Sequence, residues 1–230
     1  MRILIVIPCY NEGSNIGTLL QEIRELSDKY DKVVIDDCSA DDTYAIASRL
    51  SSCVRLVGKL GIGGAVQTGI KYAVENNYDL CIQVDGDGQH PPDQIERLIK
   101  SYMASPTNMV IGTRFLLREN FRSTWSRRLG IQVISVVIHW LFGQKITDPT
   151  SGFRLMDRAV IRLFHSDYPL DFPEPVAVAI ALQHGLTIQE VGVRMRSRQG
   201  GSSSISGIKT IIYMARVIGY LFLVRLRPQH

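Results

Sequence analysis

Five short runs rich in β-branched and aliphatic residues, Ile3–Ile7, Val33–Asp36, Val54–Val57, Leu80–Val84 and Met109–Gly112, recur through the first half of the chain, separated by stretches of helical period. Parallel neighbours must be joined by a crossover, and a strand covered on both faces reads as an almost continuous apolar run. The alternation therefore predicts an α/β, Rossmann-like, mostly parallel central sheet with flanking helices. Ile16, Leu19, Leu20, Ile23 and Leu26 share one face of a first helix, with Ser14 as its cap. Further helices are expected from Asp41-Asp42, from Gly63 to Glu75, and from the Pro91-Pro92 pair, where proline suits a helix start. With 230 residues, 45% of them hydrophobic, the chain can bury one sizeable core.

The second half changes character. Arg127–Phe142 is a strongly apolar helical stretch, and Asp148–Arg154 reads as a turn-rich loop leading into a short helix near Asp157–Phe164. Val191, Val193 and Met195 alternate with Gly192, Arg194 and Arg196, as in a half-exposed strand. Gly200-Gly201-Ser202-Ser203-Ser204 is a flexible loop by composition. Ile208–Leu226 is apolar but interrupted by Lys209 and Arg216, short of the ~18 uninterrupted apolar residues of a membrane span. An amphipathic helix lying on a membrane, or docking to a small integral membrane partner, fits it better.

The formal net charge is +4, with arginines gathered at 114–128, 194–198 and 216–227, which favours an anionic partner such as phosphate or an acidic membrane surface. No basic run alternates with aromatics, so nucleic acid is not an expected partner. Cys9, Cys38, Cys53 and Cys81 lack CxxC spacing and lie in or beside apolar stretches, and they read as reduced core thiols of a cytoplasmic protein. The apolar run after Met1-Arg2 ends at Pro8, too short for a signal peptide, and reads as a first strand.

Chemistry concentrates at strand ends. Asp85-Gly86-Asp87-Gly88-Gln89-His90 leaves the fourth strand through a glycine-containing turn, and two carboxylates so spaced can present oxygens to a hard divalent cation that in turn holds phosphates. The alternative is a polar turn capping the next helix. Pro8-Cys9-Tyr10-Asn11-Glu12 closes the first strand and Asp36-Asp37-Cys38-Ser39-Ala40-Asp41-Asp42-Thr43 the second, so three strand ends deliver polar groups to one edge, where open α/β sheets bind ligands. Asp37 can accept a hydrogen bond from a nucleobase ring N–H, while Pro8 and Tyr10 offer the base a flat wall. Helix capping by Ser39 or Asp41 accounts for those two residues without a ligand, but not for Asp37. His90 is expected to be a turn residue ahead of Pro91, with no second histidine at metal-site spacing, and His139 and Trp140 are expected to pack within their helix.

These motifs, with Gly61-Ile62-Gly63-Gly64-Ala65 followed by Gly69, and Gly112-Thr113-Arg114-Phe115, occur in the order seen in family-2 glycosyltransferases. The chain resembles the dolichol-phosphate mannosyltransferase-like branch over nearly its whole length, because Asp148-Pro149-Thr150-Ser151-Gly152-Phe153-Arg154 and Arg198-Gln199-Gly200-Gly201-Ser202-Ser203 are similar to that branch's later motifs. The resemblance implies a GT-A domain over 1–206, with a nucleotide-sugar-binding half at 1–113 and an acceptor-binding half at 114–206, followed by an amphipathic docking segment at 207–230. It implies that Pro8, Tyr10, Glu12 and Asp37 hold the nucleoside, and that Asp85 and Asp87 form the DxD motif. Asp87 and Gln89 would then be the nearer ligands of Mg²⁺ or Mn²⁺, and Arg114 and Arg198 would contact phosphate. Two positions depart from the pattern: Lys59 stands where asparagine is common, and Cys38 where DDGS has glycine.

The activity implied is inverting transfer of a hexose or N-acetylhexosamine from a nucleotide-diphosphate sugar to polyprenyl phosphate, by a protein peripheral to the cytoplasmic face of the membrane. Arg114, Arg118, Arg122, Arg127 and Arg128 precede an apolar helix, a combination suited to a lipid phosphate; a solvated basic loop is the bland alternative. A sugar-hydroxyl acceptor, as in polysaccharide assembly, would need a base, and Asp171 or Glu174 could supply it, unless the pair only shapes a loop and helix cap. A catalytically silent binding module that kept the fold is the third reading.

Overall fold

The structure, a computed structural model, describes residues 1–27, 29–117, 125–196 and 208–228, with side chains at all of these except 126, 127 and 208–211. Seven strands form one sheet: β1 (Ile3–Cys9), β2 (Asp31–Asp36), β3 (Ser52–Arg55), β4 (Leu80–Gln83), β5 (Met109–Thr113), β6 (Arg154–Asp157) and β7 (Ile188–Gly192). Their order is β3-β2-β1-β4-β6-β5-β7, and all run parallel except β6, which is antiparallel to both β4 and β5. The carboxyl ends of β1, β2, β4 and β5 thus share one edge with the chain entering β6.

β1 shows why the strands read as continuous apolar runs. Leu4 and Val6 join the core on one face and Ile3, Ile5 and Ile7 the core on the other, all buried, as the period of two demands. The helices are α1 (Ile16–Leu26), α2 (Thr43–Leu50), α3 (Gly61–Glu75), α4 (Ile95–Ala104), α5 (Trp125–Phe142), α6 (Arg158–Ser166), α7 (Pro173–Gln183) and α8 (Ile208–Leu226). α1 buries Ile16, Leu19, Leu20 and Ile23 on one face of the sheet, while Ala65, Val66, Ile70 and Ala73 of α3 cover the other. The proline pair opens a short 3-10 turn, Pro92–Gln94, that runs into α4.

Three local expectations are corrected. Ser14 does not cap α1: Asn15 holds the cap position without a side-chain bond, and the N–H groups of Asn15 and Ile16 donate to the Glu12 carbonyl. The segment entering the short helix is not all loop, since Arg154–Asp157 is a strand, and Asp157 caps α6 by accepting from the N–H groups of Ala159 and Val160. The strand expected around Val191–Met195 lies earlier, at Ile188–Gly192. The glycine-serine loop at 200–204 lies outside the described residues.

α5 and α8 pack together and, with α7, extend the core on the α3 face, through Ile134, Ile138, Val217, Leu221 and Val224. Their outer side is unusual. Trp125, Leu129, Val133, Val136 and Trp140 of α5 are exposed at helical spacing, beside Ile212, Phe222, Leu223 and Leu226 of α8. Trp140, expected to pack, is 72% exposed, and its ring meets Phe222 edge-on at 5.9 Å. Neither helix contains a carboxylate. Among the described residues no helix is long and apolar enough to cross a membrane.

Candidate active site

The loops after β1, β2 and β3 are stitched by side chains. The Asn11 N–H donates to Ser39 Oγ at 2.9 Å, Asn11 Oδ1 accepts from Ala40 at 2.9 Å, and the Glu12 N–H donates to Thr43 Oγ1 at 2.8 Å. The Asp37 N–H donates to the Cys9 carbonyl at 2.9 Å. Cys38 has φ of +59°, which explains why the related pattern places glycine there: the turn needs left-handed backbone. Asp37 is 3% exposed, and its two oxygens accept from the N–H groups of Leu60 at 2.7 Å and Gly61 at 2.8 Å. Its first task is therefore to fix the entry to α3; a carboxylate has about four lone-pair sites, so capacity for a ligand remains. Pro8 is buried inside β1, so of the two residues expected to form a flat wall only Tyr10 is exposed. Tyr10 is exposed, with Lys59 Nζ 3.4 Å above its ring centre.

One strand away, the turn after β4 is pressed onto the end of β1. A Cβ on Gly86 would stand 2.4 Å from Cys9 Sγ and 3.1 Å from the Pro8 carbonyl, so a side chain there would lift the turn. The Asp85 N–H donates to His90 Nδ1 at 3.0 Å, which assigns the ring proton to Nε2, 3.7 Å from Asp85 Oδ2. His90 is buried and stacks on Phe153 at 4.8 Å, so it orients Asp85 rather than merely preceding Pro91. Asp87 Oδ1 accepts from the Gln89 N–H at 3.0 Å, and the Gln89 carbonyl accepts from Arg196 at 2.9 Å. Asp85, Asp87 and Gln89 are all partly exposed.

Because β6 runs against its neighbours, residues 148–153 arrive at this same edge. The phosphate contact expected of Arg114 is not what its described bonds show: its side chain is 7% exposed and grips Asp148 with two bonds of 2.7 and 2.6 Å, plus Thr150 Oγ1 at 3.0 Å. Glu190 in turn accepts from the N–H groups of Thr147 at 2.7 Å and Asp148 at 2.8 Å. The fully buried Arg154 donates to the carbonyls of Ser151, Pro149 and Glu174 at 2.7 to 2.9 Å. A Cβ on Gly152 would lie 3.0 Å from Asp85 Oδ1 and from Gln83 Nε2, so this loop backs the DxD turn directly.

Glu174 lies in the first turn of α7, after Phe172 in left-handed backbone. Burial pushes its carboxyl above the usual range, opposed mainly by Arg154, while the charge of Asp85 adds to the rise. The residue as a whole is partly exposed, and desolvation of its carboxyl is the largest influence on it. Asp171 belongs elsewhere: it is exposed and accepts from the Tyr220 hydroxyl of α8 at 3.2 Å. Arg128 is exposed in the first turns of α5. Arg118, Arg122 and Arg198 lie outside the described residues, as does the Arg127 side chain.

Two carboxylates at the end of a parallel strand, one spacing from a tyrosine and two from a buried aspartate, form an edge that can hold a divalent cation beside a nucleotide. The chain belongs to glycosyl transferase family 2, whose pattern matches residues 4–164. It is similar to the polyprenol monophosphomannose synthase of Mycolicibacterium smegmatis, 26% identical over 90% of this chain and 82% of that one. It is also similar to the UDP-N-acetylglucosamine–dolichyl-phosphate N-acetylglucosaminyltransferase of Methanococcus voltae, 27% identical over 84% of each. In fold it matches the glucosyl-3-phosphoglycerate synthase of Mycobacterium tuberculosis, solved with Mn²⁺, UDP and glucosyl-3-phosphoglycerate, with a TM-score of 0.75 over 99% of this chain and 81% of that one at 19% identity.

The residues fit a divalent cation that is shared with substrate. Among the described residues no three His, Cys, Asp or Glu side chains gather as a self-sufficient metal cage. Mg²⁺ needs none, since it commonly takes one or two carboxylates and completes its shell with water and phosphate. Asp85 and Asp87, oxygen donors held by glycine turns at an accessible edge, are that kind of set.

Proposed function

We propose that this chain moves a hexose or N-acetylhexosamine from a nucleotide-diphosphate sugar to a polyprenyl phosphate, with inversion, from a peripheral position on the cytoplasmic face of the membrane. Tyr10, Glu12 and Asp37 hold the nucleoside, and Asp85, Asp87 and Gln89 hold Mg²⁺ or Mn²⁺. The bound cation supplies positive charge to the departing diphosphate. The Arg114–Asp148 pair and Gly152 keep the DxD turn in place from behind, so little rearrangement is needed when charge develops. As the bond from C1 to the β-phosphate oxygen breaks, an oxygen of the acceptor phosphate bonds to C1 from the opposite face. A phosphate monoester is already anionic near neutral pH, so the lipid acceptor needs no base. Arg128, and Arg198 with it, are the cations proposed for the phosphates.

The observation that carries the acceptor is the carboxylate-free, tryptophan-bearing stripe of α5 and α8. An exposed apolar face with aromatic residues and basic ends suits the membrane interface, where a polyprenyl phosphate presents its head. Purified protein given labelled nucleotide sugars, Mn²⁺ and polyprenyl phosphate is expected to make a labelled, solvent-extractable glycolipid. Label transferred only to saccharide hydroxyls would overturn the assignment of the acceptor. Loss of residues 207–230 is expected to release the protein from protein-free vesicles; binding that requires a membrane protein instead would make the stripe a partner-docking face.

A second reading has one observation in its favour: the raised carboxyl of Glu174 near Asp85 suits a general base for a hydroxyl acceptor. Under that reading Glu174→Gln abolishes transfer, whereas transfer to a lipid phosphate survives it.

A further inference from the structure

We infer that Gln83 is a positioning residue of the cation site: its buried amide holds the carboxylate of Asp85 in the orientation that meets the metal. The inference deepens the proposed function and rests on its placing a divalent cation at Asp85 and Asp87. Gln83 ends β4 and is 2% exposed, following Cys81 and Ile82, both fully buried. It lies beside Val6 of β1 and opposite Arg154 of β6 in the register of the sheet. Such a place favours an apolar side chain, because an amide taken out of water is unfavourable unless its hydrogen bonds are made again. Among the described residues the side chain of Gln83 makes one, from Nε2 to Asp85 Oδ1 at 3.3 Å.

The two neighbours of Asp85 divide the work. His90 takes the Asp85 N–H and so fixes the backbone of the turn, while its Nε2 stays 3.7 Å from Oδ2, beyond hydrogen-bond reach. The plane of the carboxyl is otherwise loosely set, since the outer torsion of an aspartate is broad, and among the described residues Gln83 is the group that bonds to it. Gly152 leaves room for that bond: a Cβ there would stand 3.0 Å from both Gln83 Nε2 and Asp85 Oδ1. A neutral donor suits the task. Lysine or arginine in its place would neutralise Asp85 and compete with the cation, whereas an amide orients the carboxylate and leaves its full charge for the metal. Carboxylates that ligate metals are commonly held in this way by an outer hydrogen bond, and loss of that partner costs metal affinity.

The test compares wild type with Gln83→Met, which keeps the length of the side chain and removes its donor, and with Gln83→Leu. Mn²⁺ binding is titrated by electron paramagnetic resonance in the presence of UDP and of GDP, and the unfolding midpoint is measured without metal. Gln83→Met is expected to keep the wild-type midpoint or raise it, because a buried amide is gone and the partly exposed Asp85 can turn to water. It is expected to weaken Mn²⁺ binding by about tenfold, the lower end of what such outer partners contribute. A side chain present only for packing would give the opposite pattern, a lower midpoint with wild-type affinity. The inference is overturned if the midpoint falls in both variants, or if a variant that keeps its midpoint binds Mn²⁺ as wild type does. If wild type holds Mn²⁺ with neither nucleotide, the proposed function itself fails and the inference falls with it.

Discussion

The donor edge and the α5/α8 face are built on opposite principles. At the edge, polar groups are buried and fastened: Asp37, Asp148, His90 and Arg154 are each below 5% exposed and hydrogen-bonded, Asp37, Asp148 and Arg154 to residues at least 20 positions away and His90 to the Asp85 N–H of its own turn. On the α5/α8 face, large apolar groups stand in solvent, Trp125 at 78% and Leu226 also at 78%. The first is organised before a ligand arrives, which is what stabilising a transient charge requires. Under the proposed function the second meets a neighbouring phase, which would cover it.

That contrast predicts that damage at the edge costs stability or turnover, while damage to the face costs location alone. Asp148→Asn should have the largest effect, since it strands the buried Arg114 charge: about 3–5 kcal/mol, a fall in melting temperature on the order of 10 °C, read by calorimetry. Asp87→Asn should leave the melting temperature near wild type and slow transfer by about a hundred- to a thousandfold, read with labelled donor; full turnover would remove the assigned metal ligand. Trp140→Ser is expected to weaken binding to anionic vesicles by about tenfold, the transfer value of one large side chain, with the melting temperature and nucleotide binding unchanged. Wild-type affinity in that variant would erase the distinction between the two regions.

The smallest effect concerns Glu174. Its folded-state carboxyl titrates above the ordinary carboxylate range, so the native state holds the proton more tightly than the unfolded chain does. Its contribution to stability is then full below the unfolded value and is lost as pH rises through the folded one. Glu174→Gln is accordingly expected to raise the melting temperature slightly at neutral pH, with the gain fading in acid; calorimetry across pH checks the sign.

The sequence announces the edge more clearly than the face for a physical reason. β1, β2 and β4 are covered on both sides by elements near in the chain, so their apolar runs are legible, and the turns that follow must carry the polar groups. β6 escapes notice because its four residues begin with Arg154, whose charge is satisfied by three carbonyls that no local pattern reveals. The same holds for Arg114: an arginine after β5 is visible, but its partner Asp148 lies 34 residues on and turns a supposed phosphate contact into a brace. His90 looks like a turn residue until the Asp85 N–H is found pointing at its ring. The apolar stretches of α5 and α8 are legible singly, whereas their shared outer stripe exists only once α7 has brought them side by side.

Crystals grown with Mn²⁺ and a nucleoside diphosphate, measured at the manganese absorption edge, bear on the central claim most directly. An anomalous peak beside the carboxylates of Asp85 and Asp87, with the base against Tyr10, is the predicted result. A peak at another face of the sheet, or nucleotide bound there without metal, would contradict the account.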